Sequence, residues 1–248
     1  MKRKNLLPDS KKFPSNQIWI SEPLVIIIVT GIVVLLLTLT GRAFYTELDI
    51  QKNNGKLISL RSDKIRLTHQ RDIIRQKITI TETINRFVNN RLKPQTVGLL
   101  TELVYQNSRT YGYDPFLVLA VIHVESVFDP EALGRYRSGK YSGAYGLMQL
   151  KYATALEVAV DLQISVTGIK DLLIPEINIA LGVGYLTRLI AQFNDLKLGI
   201  LAYNQGPGTI RKNLRENQPL SIRYYEKVLK SYYALKAESK HAEIVPEN

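Results

Sequence analysis

The stretch that decides the fold runs Phe116-Leu-Val-Leu-Ala-Val-Ile-His-Val-Glu-Ser-Val-Phe128, directly after Asp114-Pro115. Asp is a preferred N-cap and Pro suits the first helical position, so the segment reads as a helix that opens at Asp114. It is apolar on nearly every side and therefore belongs at the centre of a core. Helical spacing aligns Val118, Val121, Ile122, Glu125 and Phe128, which sets one carboxylate on a stripe fit for burial. Burial disfavours the ionised form and raises a glutamate from its usual ~4.3 toward neutrality, the condition a general acid needs. Position alone leaves a second reading open, a buried glutamate that pairs with a cation or caps a helix. His123 reads as structural, because the other histidines, His69 and His241, and the absence of cysteine leave no ligand cluster for a metal.

Outward from this segment the pattern stays helical. Leu99 to Arg109 is followed by Gly112, a natural stop, and helical spacing recurs over Ala153 to Leu162, Pro175 to Phe193, Leu196 to Tyr203 and Ile222 to Ala237. Ser221 is placed to cap the last of these, whose stripe carries Tyr225, Val228, Leu229, Tyr232 and Leu235. No sustained alternation follows residue 95, so an all-α domain is expected over residues 96–240, with a short tail at 241–248. Roughly 145 positions are enough for one domain to bury about two-thirds of its unfolded surface. The chain has no Gly-x-Ser-x-Gly elbow and no glycine-rich phosphate loop, which removes the common nucleophilic and nucleotide chemistries.

Upstream, residues 23–41 carry no charge and the run Leu24 to Thr40 is almost entirely aliphatic. As a helix residues 23–41 rise about 28 Å, close to the ~30 Å of a bilayer's hydrocarbon core, so they read as a transmembrane anchor. A cleaved signal peptide fits less well, because the apolar run exceeds the usual ~7 to 15 residues and Gly41-Arg42-Ala43 is a poor cleavage site. Lys2, Arg3, Lys4, Lys11 and Lys12 precede the span, and fewer basic residues, Arg42 and Lys52, follow it closely. By the positive-inside rule residues 1–22 are a cytoplasmic tail, the span lies in the inner membrane, and all that follows faces the periplasm. Residues 42–95 read as a basic, loosely helical stalk ended by Pro94, with apolar positions at Ile73, Ile74, Ile78, Ile84, Phe87, Val88 and Leu92. A solvated spacer is one reading, and a coiled coil that pairs two copies is the other.

Charge sorts with these segments. The net +11 divides into +3 over residues 1–22, +7 over 42–95 and +1 over 96–248, so the C-terminal part is not a nucleic-acid-binding surface. The basic stalk suits anionic lipid headgroups or acidic wall polymers. Without cysteine the fold has no disulfide framework, zinc-thiolate site or lipid-modified cysteine.

Three stretches taken together, Glu125-Ser-Val-Phe-Asp-Pro130, Gly143-Ala-Tyr-Gly-Leu-Met-Gln149 and Ala202-Tyr-Asn-Gln-Gly-Pro-Gly208, resemble the catalytic domain of soluble-type lytic transglycosylases. These are relatives of goose-type lysozyme with a lysozyme-like helical fold. Asn178-Ile-Ala-Leu-Gly182 with Tyr185-Leu186, and Tyr224-Tyr-Glu-Lys-Val228, support the resemblance, which covers about residues 96–235. It implies an enzyme, a lyase acting on peptidoglycan glycan strands without metal or cofactor. It further implies that Glu125 protonates the oxygen between N-acetylmuramic acid and N-acetylglucosamine. Glu125 then takes the proton of the muramoyl 6-hydroxyl, which closes a 1,6-anhydro ring. That chemistry fits the motifs, which show no second carboxylate; Asp129, in Phe-Asp-Pro, reads as the cap of the next turn.

By the same resemblance Met148 and Gln149 line the saccharide groove, Tyr203 and Asn204 face the glutamate, and Tyr224 stands close to the active site, with Tyr225 one residue out of register as the alternative. The chain departs from the family at Gly134, where a serine is usual, and carries the basic insert Arg135 to Tyr141; Ser142, or Ser138, is expected to supply the missing hydroxyl. Tyr152 stands where a proline is usual, and the arginine usual before the final tyrosine is out of register. A hydrolytic muramidase and a non-catalytic wall-binding or secretion-assembly protein are the competing functions.

Overall fold

The computed structural model describes residues 21–242; apart from residues 21–22 and 241–242, the N-terminal and C-terminal tails lie outside the described residues. The chain divides into two units, residues 1–68 and 69–248. In the first, helix α1 (Glu22–Phe87) starts ahead of the aliphatic run, and its residues up to Thr68 are exposed almost throughout. Its N-terminal part is long and apolar enough to cross a membrane.

The second unit begins with the last turns of α1. Ile80 and Ile84 are 1% and 0% exposed, and Ile73, Phe87, Val88 and Leu92 pack against the same core. The packed unit therefore starts ahead of residue 96, because Ile73, Ile80, Ile84 and Phe87 fall on one helical stripe. Ile74 and Ile78, on other faces, stay exposed. Asn89 and Asn90 adopt left-handed conformations at the turn that follows, and Pro94 opens α2 (Pro94–Tyr111) from the first position, where its missing N–H costs nothing. Gly112 ends α2 at φ 73°, a conformation glycine takes without Cβ strain.

Helix α3 (Pro115–Ser126) starts where its cap predicts: an Asp114 carboxylate oxygen accepts from the Phe116 N–H at 2.9 Å. Phe116 through Ile122 are all buried, so α3 is the central helix its composition requires. It stops at Ser126, and Val127 and Phe128 both take positive φ, 54° and 65°. Phe128 therefore reaches the core from beyond the helix and is fully buried.

Three short antiparallel strands follow in the order β1 (Leu133–Arg135), β2 (Tyr141–Tyr145) and β3 (Leu150–Lys151). They are too short to leave an alternating pattern, and the body of the unit remains helical. Helix α4 (Tyr152–Leu162), a 3₁₀ turn at Ile169–Leu173, α5 (Pro175–Phe193) and α6 (Leu196–Gln205) come next. Helix α7 (Pro207–Arg215) rises out of the Gly-Pro-Gly segment, which the spacing alone did not mark as helical; Pro207 sits in its first turn. Helix α8 (Arg223–Ala242) begins one residue later than expected, and the Ser221 carbonyl accepts from the Gln205 side chain at 2.8 Å.

Two arrangements hold the site-bearing segments. Helices α3 and α8 run antiparallel and are tied along their length by Glu125 to Tyr224, His123 to Ser231, and Asp114 to Tyr232 and Lys236. The loop after β2 is pinned to α5 by Asn178, which is fully buried. Its carboxamide oxygen accepts from the Met148 N–H at 2.7 Å, and its amide donates to the carbonyls of Tyr145 and Leu172 at 2.9 and 2.7 Å. One side chain thus satisfies three backbone groups that burial would otherwise leave unpaired. Gly182 permits the close approach, since a Cβ there would lie 2.4 Å from the Met148 sulfur.

Candidate active site

Glu125 sits at the last turn of α3 and lines a groove of about 820 Å³. Helix α3 supplies one wall, the β1–β2 hairpin a second, and the end of α6 a third. Among the described residues that line it, Glu125 is the sole carboxylate, whereas Arg135 and Lys151 are cations. Burial pushes its pKa up to about 7; the Tyr224 hydroxyl and the Lys227 ammonium oppose this by favouring the charged form. The Tyr224 hydroxyl donates to Glu125 Oε1 at 2.5 Å, while burial and the adjacent carboxylate hold Tyr224 itself protonated far above the ordinary tyrosine range.

Tyr224, and not Tyr225, is the tyrosine in contact with Glu125. Tyr203 lines the groove and donates its hydroxyl to the Met148 carbonyl at 2.8 Å, with its ring 5.4 Å from that of Tyr185. Asn204, exposed on α6, lines the same groove. Gln149 takes a left-handed conformation, φ 47°, and its amide donates to the carbonyls of Ala132 and Gly146 at 3.1 and 2.9 Å, which locks it against the groove wall. Met148 is not brought to the groove. Its side chain is fully buried against Gly182, and what it gives the site is a backbone carbonyl for Tyr203.

Ser142 lines the groove and Ser138 does not. A Cβ built on Gly134 would fall 2.3 Å from the Ser142 hydroxyl and 2.5 Å from the Gln149 carboxamide oxygen. The Ser142 hydroxyl therefore occupies the space a side chain at position 134 would fill, which explains in geometric terms why glycine stands there. Asp129 is exposed and accepts from the Glu131 N–H at 2.9 Å, as its capping role requires, and it does not line the groove.

His123 bonds Ser231 through Nδ1 at 2.9 Å and meets Phe87 edge-on, with burial pulling its pKa down. It is a packing residue. No group of three or more His, Asp or Glu side chains suited to a metal is found among the described residues. Sequence reasoning did not single out Gln205, Lys151 or Thr154 as groove residues, nor Asn178 as the anchor of the groove loop. Gln205 and Asn178 lie inside quoted motifs and could have been marked on that ground; Lys151 and Thr154 carry no local signal.

Fold and site together define a mainly helical domain with one proton-holding carboxylate set into a polar groove. The family described as the transglycosylase SLT domain matches residues 102–225, half of the chain, and the chain belongs to that family. A membrane-bound lytic murein transglycosylase F of Desulfosudis oleivorans is 33% identical over 116 residues, 44% of this chain and 22% of that protein. Among solved structures, an inactive mutant of lytic transglycosylase Slt from Pseudomonas aeruginosa matches at 27% identity over 57% of this chain and 23% of its own, with a TM-score of 0.41. The 70-kDa soluble lytic transglycosylase of Escherichia coli matches at 22% identity over 67% of this chain and 30% of its own, with a TM-score of 0.47. The matched region is thus under a third of each of these larger proteins.

Proposed function

We propose that the domain cuts peptidoglycan glycan strands as a lytic transglycosylase, with Glu125 as acid and then base. The observation that carries this is a lone groove carboxylate with a pKa of about 7, half protonated at neutral pH. Hydrolases that retain or invert need a second carboxylate about 5 to 10 Å across the bond. The described groove residues offer none, which suits the attack that the family resemblance implies, by the sugar's own 6-hydroxyl, a nucleophile that gains from proximity. Glu125 gives its proton to the glycosidic oxygen, and the resulting carboxylate takes the proton of the attacking hydroxyl. Tyr224 steadies that carboxylate between the two steps through its hydroxyl. Ser142, Gln149, Tyr203 and Asn204 bind the sugars on either side, and Met148 contributes through its backbone.

The chain is held in the inner membrane by the apolar part of α1, N-terminus inside and domain in the periplasm. Single cysteines introduced into this cysteine-free chain report the topology: labelling by an impermeant maleimide is expected after α1 and not before it. The activity is tested on purified sacculi. Anhydromuropeptides by mass spectrometry are the expected product, reducing ends alone would assign a muramidase, and Glu125→Gln that digests wall as well as the native protein would remove the enzymatic reading altogether. A general acid contributes roughly 10²- to 10⁴-fold, and a loss in that range is expected.

A further inference from the structure

Beside the Glu125 groove lies a second cavity of about 450 Å³, between the tip of the β1–β2 hairpin and the start of α8. Arg137 enters it from the hairpin, and Arg223 and Lys227 from α8; Asn204, Gln205 and Tyr224 complete most of its wall. No carboxylate is among the described residues that line it. Arg137, Arg223 and Lys227 make no ion pair or hydrogen bond within the described residues, whereas Arg188 is paired with Glu157 and Asp161, and Lys236 with Asp114. Three cations from two segments more than eighty residues apart in sequence are therefore gathered at one concave site; Lys227 feels the nearby Glu125 carboxylate, whereas Arg137 and Arg223 have no ion-pair partner among the described residues.

The hairpin that carries Arg137 is braced. The Arg135 guanidinium lies 4.1 Å from the centre of the Tyr141 ring, donates to the Tyr141 hydroxyl at 2.7 Å and to the Gly139 carbonyl at 3.1 Å. The backbone closes the turn with a Tyr136 N–H to Lys140 carbonyl bond at 2.8 Å. The cavity adjoins the catalytic groove, since Asn204 and Gln205 line both and Tyr224 links it to Glu125.

We propose that this cavity is an anion subsite for the carboxylates of the peptide branches carried by the glycan strand. The proposal rests on the glycan-cutting reading above and deepens it. A muramoyl sugar bears a lactyl-linked peptide with free carboxylates, and a glucosamine bears none. A strand seated with its muramoyl residue at Glu125 thus presents anions within one sugar of the scissile bond. Guanidinium groups pair with carboxylates through two parallel N–H donors, and unpaired ones at a concave site are prepared for that contact. The subsite makes the domain prefer peptide-bearing glycan over bare glycan.

The test uses the full chain and two substrates, glycan strands with their peptides and the same strands stripped by an amidase. Wild type is expected to show a kcat/KM about tenfold higher on peptide-bearing strands, as two or three partly exposed charge pairs of up to ~1 kcal/mol each allow. This ratio falls toward one near 1 M salt, where the screening length shrinks to about 3 Å. The double variant Arg137→Gln/Arg223→Gln is expected to bring the ratio to about one through a higher KM on peptide-bearing strands. A double variant that keeps the wild-type ratio, or a wild type with no preference, overturns the subsite. A second readout needs no catalysis: the tetrapeptide released by the amidase should bind Glu125→Gln at low salt and lose that binding when Arg137 and Arg223 are replaced. Arginine-dependent binding by a chain that cuts neither strand would defeat the glycan-cutting reading and leave the subsite standing, whereas absence of tetrapeptide binding defeats the subsite alone.

Discussion

The two sides of the groove are built in different ways. On one side α3 and α8 form a buried frame: an almost wholly apolar helix, a partner tied to it at three levels, and Glu125 with Tyr224 at one end of the contact. On the other, a hairpin of eight strand residues is held by a cation over a ring, a glycine turn and one buried asparagine. The frame sets the pKa of Glu125, because enclosure disfavours its charged form and pushes it up to about 7. The hairpin forms the groove wall that faces that carboxylate. On the proposed function, chemistry falls on rigid, desolvated elements and selection on the polar rim, where side chains change without disturbing the core.

The largest expected effect breaks the frame from outside the family match. A fragment that begins at residue 96 lacks Ile80 and Ile84, both fully buried, and should lose about 4 kcal/mol or more against one that begins at His69. Denaturant unfolding of the two fragments measures this, and equal midpoints would show that the end of α1 is dispensable. Asn178→Ala should cost about 3 kcal/mol, because three buried backbone groups lose their partner. Thermal unfolding reads the loss, which should be joined by reduced wall digestion as the Met148 to Gln149 segment loosens.

Tyr224→Phe sharpens the comparison by changing the acid without touching the hairpin. The Tyr224 hydroxyl favours ionised Glu125, so its removal raises the Glu125 pKa. A general acid works while protonated; wild-type activity is therefore expected to fall as pH rises through about 7, and in the variant that fall should shift to higher pH. About a tenfold drop in kcat is expected from the lost bond to a charged group, and a basic limb that stays in place or moves down would contradict the assignment. The smallest effect belongs to the rim. Ser142→Ala should lower kcat/KM by about three- to tenfold with little change in stability. Gly134→Ser alone should be harmful because its side chain meets the Ser142 hydroxyl, and Gly134→Ser/Ser142→Gly should recover activity; a double variant no better than Gly134→Ser would show that the hydroxyl is not interchangeable between the two positions.

The frame was legible in the sequence, and so were the groove residues that lie in or beside the motifs, Ser142, Gln149, Tyr203 and Asn204, whereas Lys151, Thr154 and the short strands were not. The cap at Asp114, the apolar run over α3 and the helical phases of α2, α4, α5, α6 and α8 are local signals, written within a turn or two of chain. Helix α7 and the three strands escaped because a nine-residue helix after Gly206 and strands of two to five residues are too short to set a period. Met148 illustrates the limit of motif reading: it stands beside Gln149 in the chain, yet the positive φ at Gln149 sends the two side chains opposite ways, one to the core and one to the groove.

By itself the sequence determined that the chain is helical, that one apolar segment is long enough for a membrane, and that a glutamate sits on a buried stripe, since periodicity and composition act locally. Only the tertiary structure decided which tyrosine meets Glu125, which serine fills the space at Gly134, and where the unit begins on α1, because these depend on contacts between segments far apart in the chain. Charge shows the same division. Residues 96–248 sum to +1 and read as balanced, yet folding gathers Arg135, Lys151, Arg137, Arg223 and Lys227 around Glu125, the one carboxylate among the described groove residues. Net charge is a property of the sequence, and the field a substrate meets is a property of where the chain puts each charge.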